Sequence, residues 1–180
     1  SFSSAYFNKG NCFASLNLHN QAIEMYQEYL KLEPDSILGH VYIGESFDKT
    51  KDYEQAEAHY IQATEIDSDC VEAWFGLCMV SLNQSEILNA IKFVKKAIEL
   101  NSTNEHYWLT YGILLKNQEL YEEAIGSIKK AIEIDKAVPE SWIELADIYY
   151  SNNLFEEATD TLRKGYEHNA DNAPLLYTLA

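Results

Sequence analysis

The chain has 180 residues, 47% of them apolar and 23% charged, which gives room for one or at most two domains of globular rather than disordered character. Acidic residues outnumber basic ones 29 to 13, and the formal net charge of −16 excludes the basic footprint that nucleic acid and anionic lipid surfaces require. With 7 Gly and 3 Pro it is too poor in turn formers for a loop-rich all-β fold, and no apolar run approaches the roughly 20 residues that cross a bilayer.

From the N-terminus, Tyr6, Gly10 and Phe13 mark one short helix. A polar turn over Asn17 to Asn20 leads to a second, marked by Ala22 and Tyr26. Glu33-Pro34-Asp35-Ser36 closes this pair, with side chains that stop one helix and cap the next. The second pair carries His40, Ile43, Gly44 and Phe47, then Ala56 and Tyr60, and ends at Asp67-Ser68-Asp69. In the third, Trp74, Leu77 and Cys78 precede a turn at Asn83-Gln84, Ala90 and Val94 follow, and Asn101-Ser102-Thr103-Asn104 closes it. The fourth shows the stripe Trp108, Tyr111, Gly112 and Leu115, a break at Lys116-Asn117-Gln118, and a second stripe of Ala124, Ile128 and Ala131. The fifth, after Asp135-Lys136, holds Trp142, Leu145, Ala146 and Tyr149, a turn at Asn152-Asn153, and Ala158 and Leu162. Pro139 and Pro174 sit near the first turn of a helix, where a missing N–H costs nothing. Ala173 to Ala180, with Leu176 and Ala180 in register, reads as the opening of a sixth pair, so the chain is expected to be a segment of a longer repeat protein.

The period is 34. Ala22, Ala56, Ala90, Ala124 and Ala158 form one column; Gly10, Gly44, Cys78, Gly112, Ala146 and Ala180 form another of small residues. Tyr6, His40, Trp74, Trp108, Trp142 and Leu176 form a third of mostly large rings. Small residues let one helix approach another closely enough for a ring to fill the gap. Helices of about a dozen residues are marginal alone in water, so each pair depends on its neighbours. The expected architecture is an open right-handed stack of helix pairs without a closed core.

These columns resemble the tetratricopeptide repeat, with a Trp-x-x-Leu-Gly-x-x-Tyr-like first helix, an Ala-x-x-x-Phe-x-x-Ala-like second helix and a Pro near the end. Trp108, Tyr111, Gly112, Ala124, Ile128 and Ala131 match well, and Leu32-Glu33-Pro34 supplies the terminal proline motif. Lys9 and Ser81 depart from apolar columns, and Lys136 and Ala170 stand where Pro34 has its counterparts. The resemblance implies an all-α fold, a right-handed superhelical solenoid of antiparallel helix pairs. It implies one solenoid over residues 1–180, with repeats at about 3–36, 37–70, 71–104, 105–138 and 139–172 and a partial sixth at 173–180.

Apparent catalytic motifs dissolve in this register. Gly39 to Ser46 mimics a phosphate-binding loop, but Glu45 replaces its lysine and Gly44 falls in mid-helix. The five histidines show no paired metal-ligand spacing, and His40 is expected to pack in its aromatic column. Cys12, Cys70 and Cys78 form no C-x-x-C and read as small apolar residues in a reducing, cytoplasmic setting. Glu122-Glu123 and Glu156-Glu157 read as solvated outer faces, since helix neighbours do not face each other. No nucleophile–base set, metal or cofactor is expected.

The resemblance further implies that the first helix of each pair lines a concave groove. The inward slots are Phe7, Asn8, Asn11 and Ser15; Val41, Tyr42, Glu45 and Lys49; Phe75, Gly76, Met79 and Asn83; Leu109, Thr110, Ile113 and Asn117; and Ile143, Glu144, Asp147 and Ser151. Amides hold the backbone of an extended peptide, and aromatic or Met side chains receive its apolar residues. Phe7, Asn8, Asn11, Tyr42, Glu45, Phe75, Met79, Leu109, Ile113, Glu144 and Asp147 are therefore the candidate contacts for a protein or peptide partner with apolar and basic residues. The basic clamp by which some members hold chaperone tails would need cations where Phe7, Tyr42, Glu72 and Gly76 stand, so acidic tails are disfavoured. The alternatives are a structural spacer or self-assembly segment, whose solenoid ends pair with one another, and an accessory domain of a multidomain enzyme.

Overall fold

A computed structural model describes residues 2–169, and their contacts gather the chain into two compact units, Ser1–Leu100 and Asn101–Ala180. The reading of residues 173–180 as a sixth pair, and of Pro174 as a helix start, lies outside the described residues. The first unit holds α1 (Phe2–Ser15), α2 (His19–Leu32), α3 (Ile37–Lys49), α4 (Tyr53–Ile66), α5 (Val71–Asn83) and α6 (Ile87–Leu100). The second holds α7 (Glu105–Asn117), α8 (Tyr121–Ile134), α9 (Pro139–Ser151) and α10 (Phe155–His168). Each helix packs most closely on its sequence partner, α1 on α2 through to α9 on α10. Pairs then join through α2 with α3 and α4 with α5 in the first unit, and through α8 with α9 in the second.

The columns of small residues sit where helices cross. Ala22, Ala56, Ala90 and Ala124 have no exposed surface, and Ala158 is buried. Tyr60 of α4 shows why size matters: its ring lies against Gly44 of α3 and Gly76 of α5. A Cβ on Gly76 would stand 2.4 Å from the ring, and one on Gly44 would stand 3.1 Å away. Gly112 makes the same room for Ile128. Tyr26, Ile43, Tyr60, Leu77 and Val80 anchor the first unit's core. Ile128, Trp142, Leu145 and Ile148 anchor the second. His40 and Cys78 are buried as expected of their columns, whereas Cys12 is exposed and plays no packing part in its core.

Turn chemistry repeats with the helices. Every first helix ends by hydrogen bonds that wrap its last turn, as when Glu119 N–H donates to the Lys116 carbonyl and Leu120 N–H to that of Leu115. The residue at the bend has a left-handed backbone at Asn17, Lys51, Ser85, Glu119 and Asn153, all 34 apart. Between pairs, Ser36 and Asn104 cap α3 and α7 with their side chains, and within the second pair Asp52 caps α4. Asp67, Asn101 and Asp135 each accept the N–H two residues on. Pro139 occupies the first turn of α9, as its missing N–H allows.

Candidate functional site

The residues expected to meet a partner divide between the units, and each portion has its own chemistry. In the first unit, α1 and α3 bring Phe7 and Tyr42 edge to face, ring centroids 5.5 Å apart, although 35 residues separate them. Tyr26 of α2 stacks on Tyr42 with planes 19° apart, and Tyr29 lies 5.0 Å from Phe7. The Tyr26 hydroxyl donates to Asn11 Oδ1 at 2.8 Å, and Tyr29 shares a hydrogen bond with Ser36, the cap of α3. These bonds fix two amphipathic rings beneath Phe7 and Tyr42, which remain half-buried rather than sealed. Asn11 spends its oxygen on Tyr26, and its amide nitrogen has no partner among the described residues. Phe75 and Met79 of α5 are likewise half-buried, and Asn8 is exposed on α1.

Charge gathers beside the rings. Burial of the Glu45 carboxyl raises its pKa above the usual carboxylate range; Lys49 pulls it down, while Glu72 and Asp48 push it further up. This holds although much of the residue's surface is exposed, because the carboxyl itself is poorly hydrated. Burial also pushes the Tyr26 phenol up to about 12, with Glu45 adding to the effect, and raises that of Tyr60. Asp48 of α3 accepts from Asn83 Nδ2 of α5 at 2.9 Å, so a carboxylate and an amide tie consecutive first helices together.

The second unit is different. Lys116 of α7 donates to Glu144 Oε2 at 2.5 Å and to Asp147 Oδ2 at 3.0 Å, both on α9. Burial alone would lower the Lys116 pKa, but the hydrogen bonds and charges of the two acids outweigh it and raise it. The two expected anionic contacts are thus already neutralised in part by their own chain. Sequence reasoning missed Lys116, which stands 28 and 31 residues before the acids on the first helix of the preceding pair.

Depth corrects several assignments. Leu109 is buried in the core of the second unit and lines no open face; Ile113 is half-buried against the same core. Among the remaining slots, Val41 and Thr110 are buried, and Gly76 is covered by Tyr60. The described residues include no group of three or more His, Cys, Asp or Glu placed to hold a metal ion. No described helix is long and apolar enough to cross a membrane.

Models of the tetratricopeptide repeat match residues 3–36, 43–105 and 117–180. The cell division cycle protein 27 homolog of Caenorhabditis elegans is 27% identical over 95 residues, which are 53% of this chain and 12% of that protein. The match therefore spans about an eighth of that relative's length. Among solved structures, MamA from Desulfovibrio magneticus RS-1 superposes with a TM-score of 0.85 at 14% identity, covering 95% of this chain and 97% of that one. YrrB, described as a TPR protein with an unusual peptide-binding site, superposes with a TM-score of 0.76 at 20% identity, covering 96% and 89%.

Proposed function

Because the chain belongs to the tetratricopeptide repeat family, we propose that it is a non-catalytic protein-interaction module that holds a peptide segment or helix of a partner protein on the faces of its first helices. The observation that carries this reading is the set of half-buried rings at Phe7 and Tyr42, with Asn11 beside them offering an amide N–H. Apolar surface supported from beneath but left partly open is suited to receiving apolar side chains. Phe75 and Met79 extend it, and Glu45 with Asp48 and Glu72 favours a Lys or Arg in the same segment. The peptide-binding site named for YrrB supports the mode of binding, and the 34-residue period continues through residue 100, which supports reading residues 1–180 as one repeat domain.

Selection from a random peptide library is expected to yield sequences that combine apolar and basic residues. Tyr42→Ala with Phe75→Ala should weaken them tenfold or more, while the exposed Glu24→Ala leaves them unchanged. Failure to select any peptide, or equal binding by both variants, rejects this site. A second reading, a structural spacer, draws support from the second unit. There Lys116 already satisfies Glu144 and Asp147, and Leu109 is in the core.

A further inference from the structure

Trp74, Trp108 and Trp142 share one task. Each indole Nε1 donates to the carbonyl six residues earlier, that of Ser68, Ser102 and Lys136, at 2.8, 2.9 and 3.0 Å, pinning the preceding turn onto its helix. His40 stands in this column with Nε2 placed 3.0 Å from the Pro34 carbonyl oxygen, again six residues earlier. A carbonyl only accepts, so Nε2 carries the proton and Nδ1 of the neutral ring is bare. That bare nitrogen faces Nδ1 of His59 on α4 at 3.0 Å, which makes His59 the donor through Nδ1–H and leaves its own Nε2 bare. Phe47 stacks on His59, ring planes 9° apart. In the next pair Trp74 and Phe93 occupy the equivalent positions, so the two histidines are a polar substitute for an aromatic contact.

The imidazole centroids are 5.2 Å apart, so the nitrogens meet head-on. Two nitrogens on a tetrahedral metal ion at about 2.0–2.1 Å would stand about 3.3–3.4 Å apart, wider than this contact, and the described residues offer no third His, Cys, Asp or Glu to complete such a site. The contact is a hydrogen bond. A proton on His59 Nε2 creates a poorly hydrated cation at the joint between α3 and α4.

We propose that the His40–His59 pair is an acid-released latch, which ties the Glu33–Ser36 turn and α3 to α4 at neutral pH and lets that joint loosen when the His59 imidazole protonates. Burial, and then His40, holds the His59 imidazole down to about 4. An unfolded histidine titrates near 6.5. Between these values the unfolded chain binds a proton that the folded chain does not, so the latch's stabilisation is complete above about 6.5 and is lost as pH falls toward 4. Neighbouring acids do not rescue the cation. Glu33 and Asp35 flank Pro34 in exposed positions, Glu28 of α2 pairs with Lys31, and Glu72 of α5 acts on Glu45 and Cys70. Among the described residues, only His40 adds to the effect of burial on His59.

Nitrogen-15 NMR of the histidines over pH 4–8 tests the latch on the unmodified chain. The expected result is Nε2–H on His40, Nδ1–H on His59, and a His59 midpoint at least about one unit below that of a free histidine. The double variant His40→Trp, His59→Phe copies the Trp74–Phe93 pair. On going from pH 7 to pH 5, its Tm should fall less than that of the unmodified chain by about 4 °C or more. The opposite tautomers, an ordinary His59 midpoint, or parallel Tm shifts in the two proteins would overturn the proposal. Should the double variant fail to fold, the NMR titration decides alone.

Discussion

Left-handed backbone at a residue other than glycine costs roughly 1–2 kcal/mol, yet Lys51, Ser85 and Glu119 adopt it, with φ of 64°, 63° and 60°. They do so because the wrapped hydrogen bonds that close each first helix require that bend, and no glycine stands there to relieve it. Glu119→Gly should therefore raise unfolding stability by about 1 kcal/mol, measured by chemical denaturation. Asn153→Gly, at the equivalent turn, should gain less because asparagine tolerates this conformation. A loss of stability in Glu119→Gly would mean that the glutamate side chain contributes more than the strain it suffers. The same repeat logic explains His40: its ring reaches the carbonyl that an indole reaches elsewhere, so the column conserves a contact rather than a residue type.

At the scale of helices, the decisive feature is close approach at small side chains. Ala124 has no exposed surface where α8 meets its neighbours, while the adjacent Glu123 is exposed. Ala124→Leu is expected to overpack this crossing and cost about 1–3 kcal/mol in equilibrium unfolding. Glu123→Leu should change stability by no more than about 0.5 kcal/mol. Equal effects would place the crossing elsewhere. The helix pairs, their turns and the caps at Ser36 and Asn104 were legible in the sequence, because helical spacing and turn chemistry involve residues only a few positions apart. The candidate face was legible only in outline. Register assigned Phe7, Tyr42, Phe75, Met79 and Leu109 to one expected face, but it carries no measure of depth, and Leu109 is buried in the core of the second unit. The Lys116 pairing was hidden for a related reason: it joins first helices of successive pairs, beyond the reach of any pattern within one helix.

For the molecule as a whole, charge is the dominant collective term. A formal net charge of −16 makes the folded chain repel itself, and seven ion pairs of mostly exposed character among the described residues offset little of that. Raising ionic strength from about 0.01 M to about 0.15 M shortens the screening length from about 30 Å to about 8 Å. The Tm should rise by a few degrees across this range at pH 7.5; a fall would show that ion pairs such as Lys116 with Glu144 outweigh the repulsion. The sequence by itself determined the repeat length, the helix pairs and the small residues at their crossings, since each follows from local spacing repeated 34 residues on. Tertiary structure alone decided which of those side chains remain open, that Lys116 answers Glu144 and Asp147, and that His40 meets His59 head-on. Those outcomes bring residues 19 to 31 positions apart to about 3 Å, a distance set by how neighbouring helices tilt and pack rather than by any local pattern.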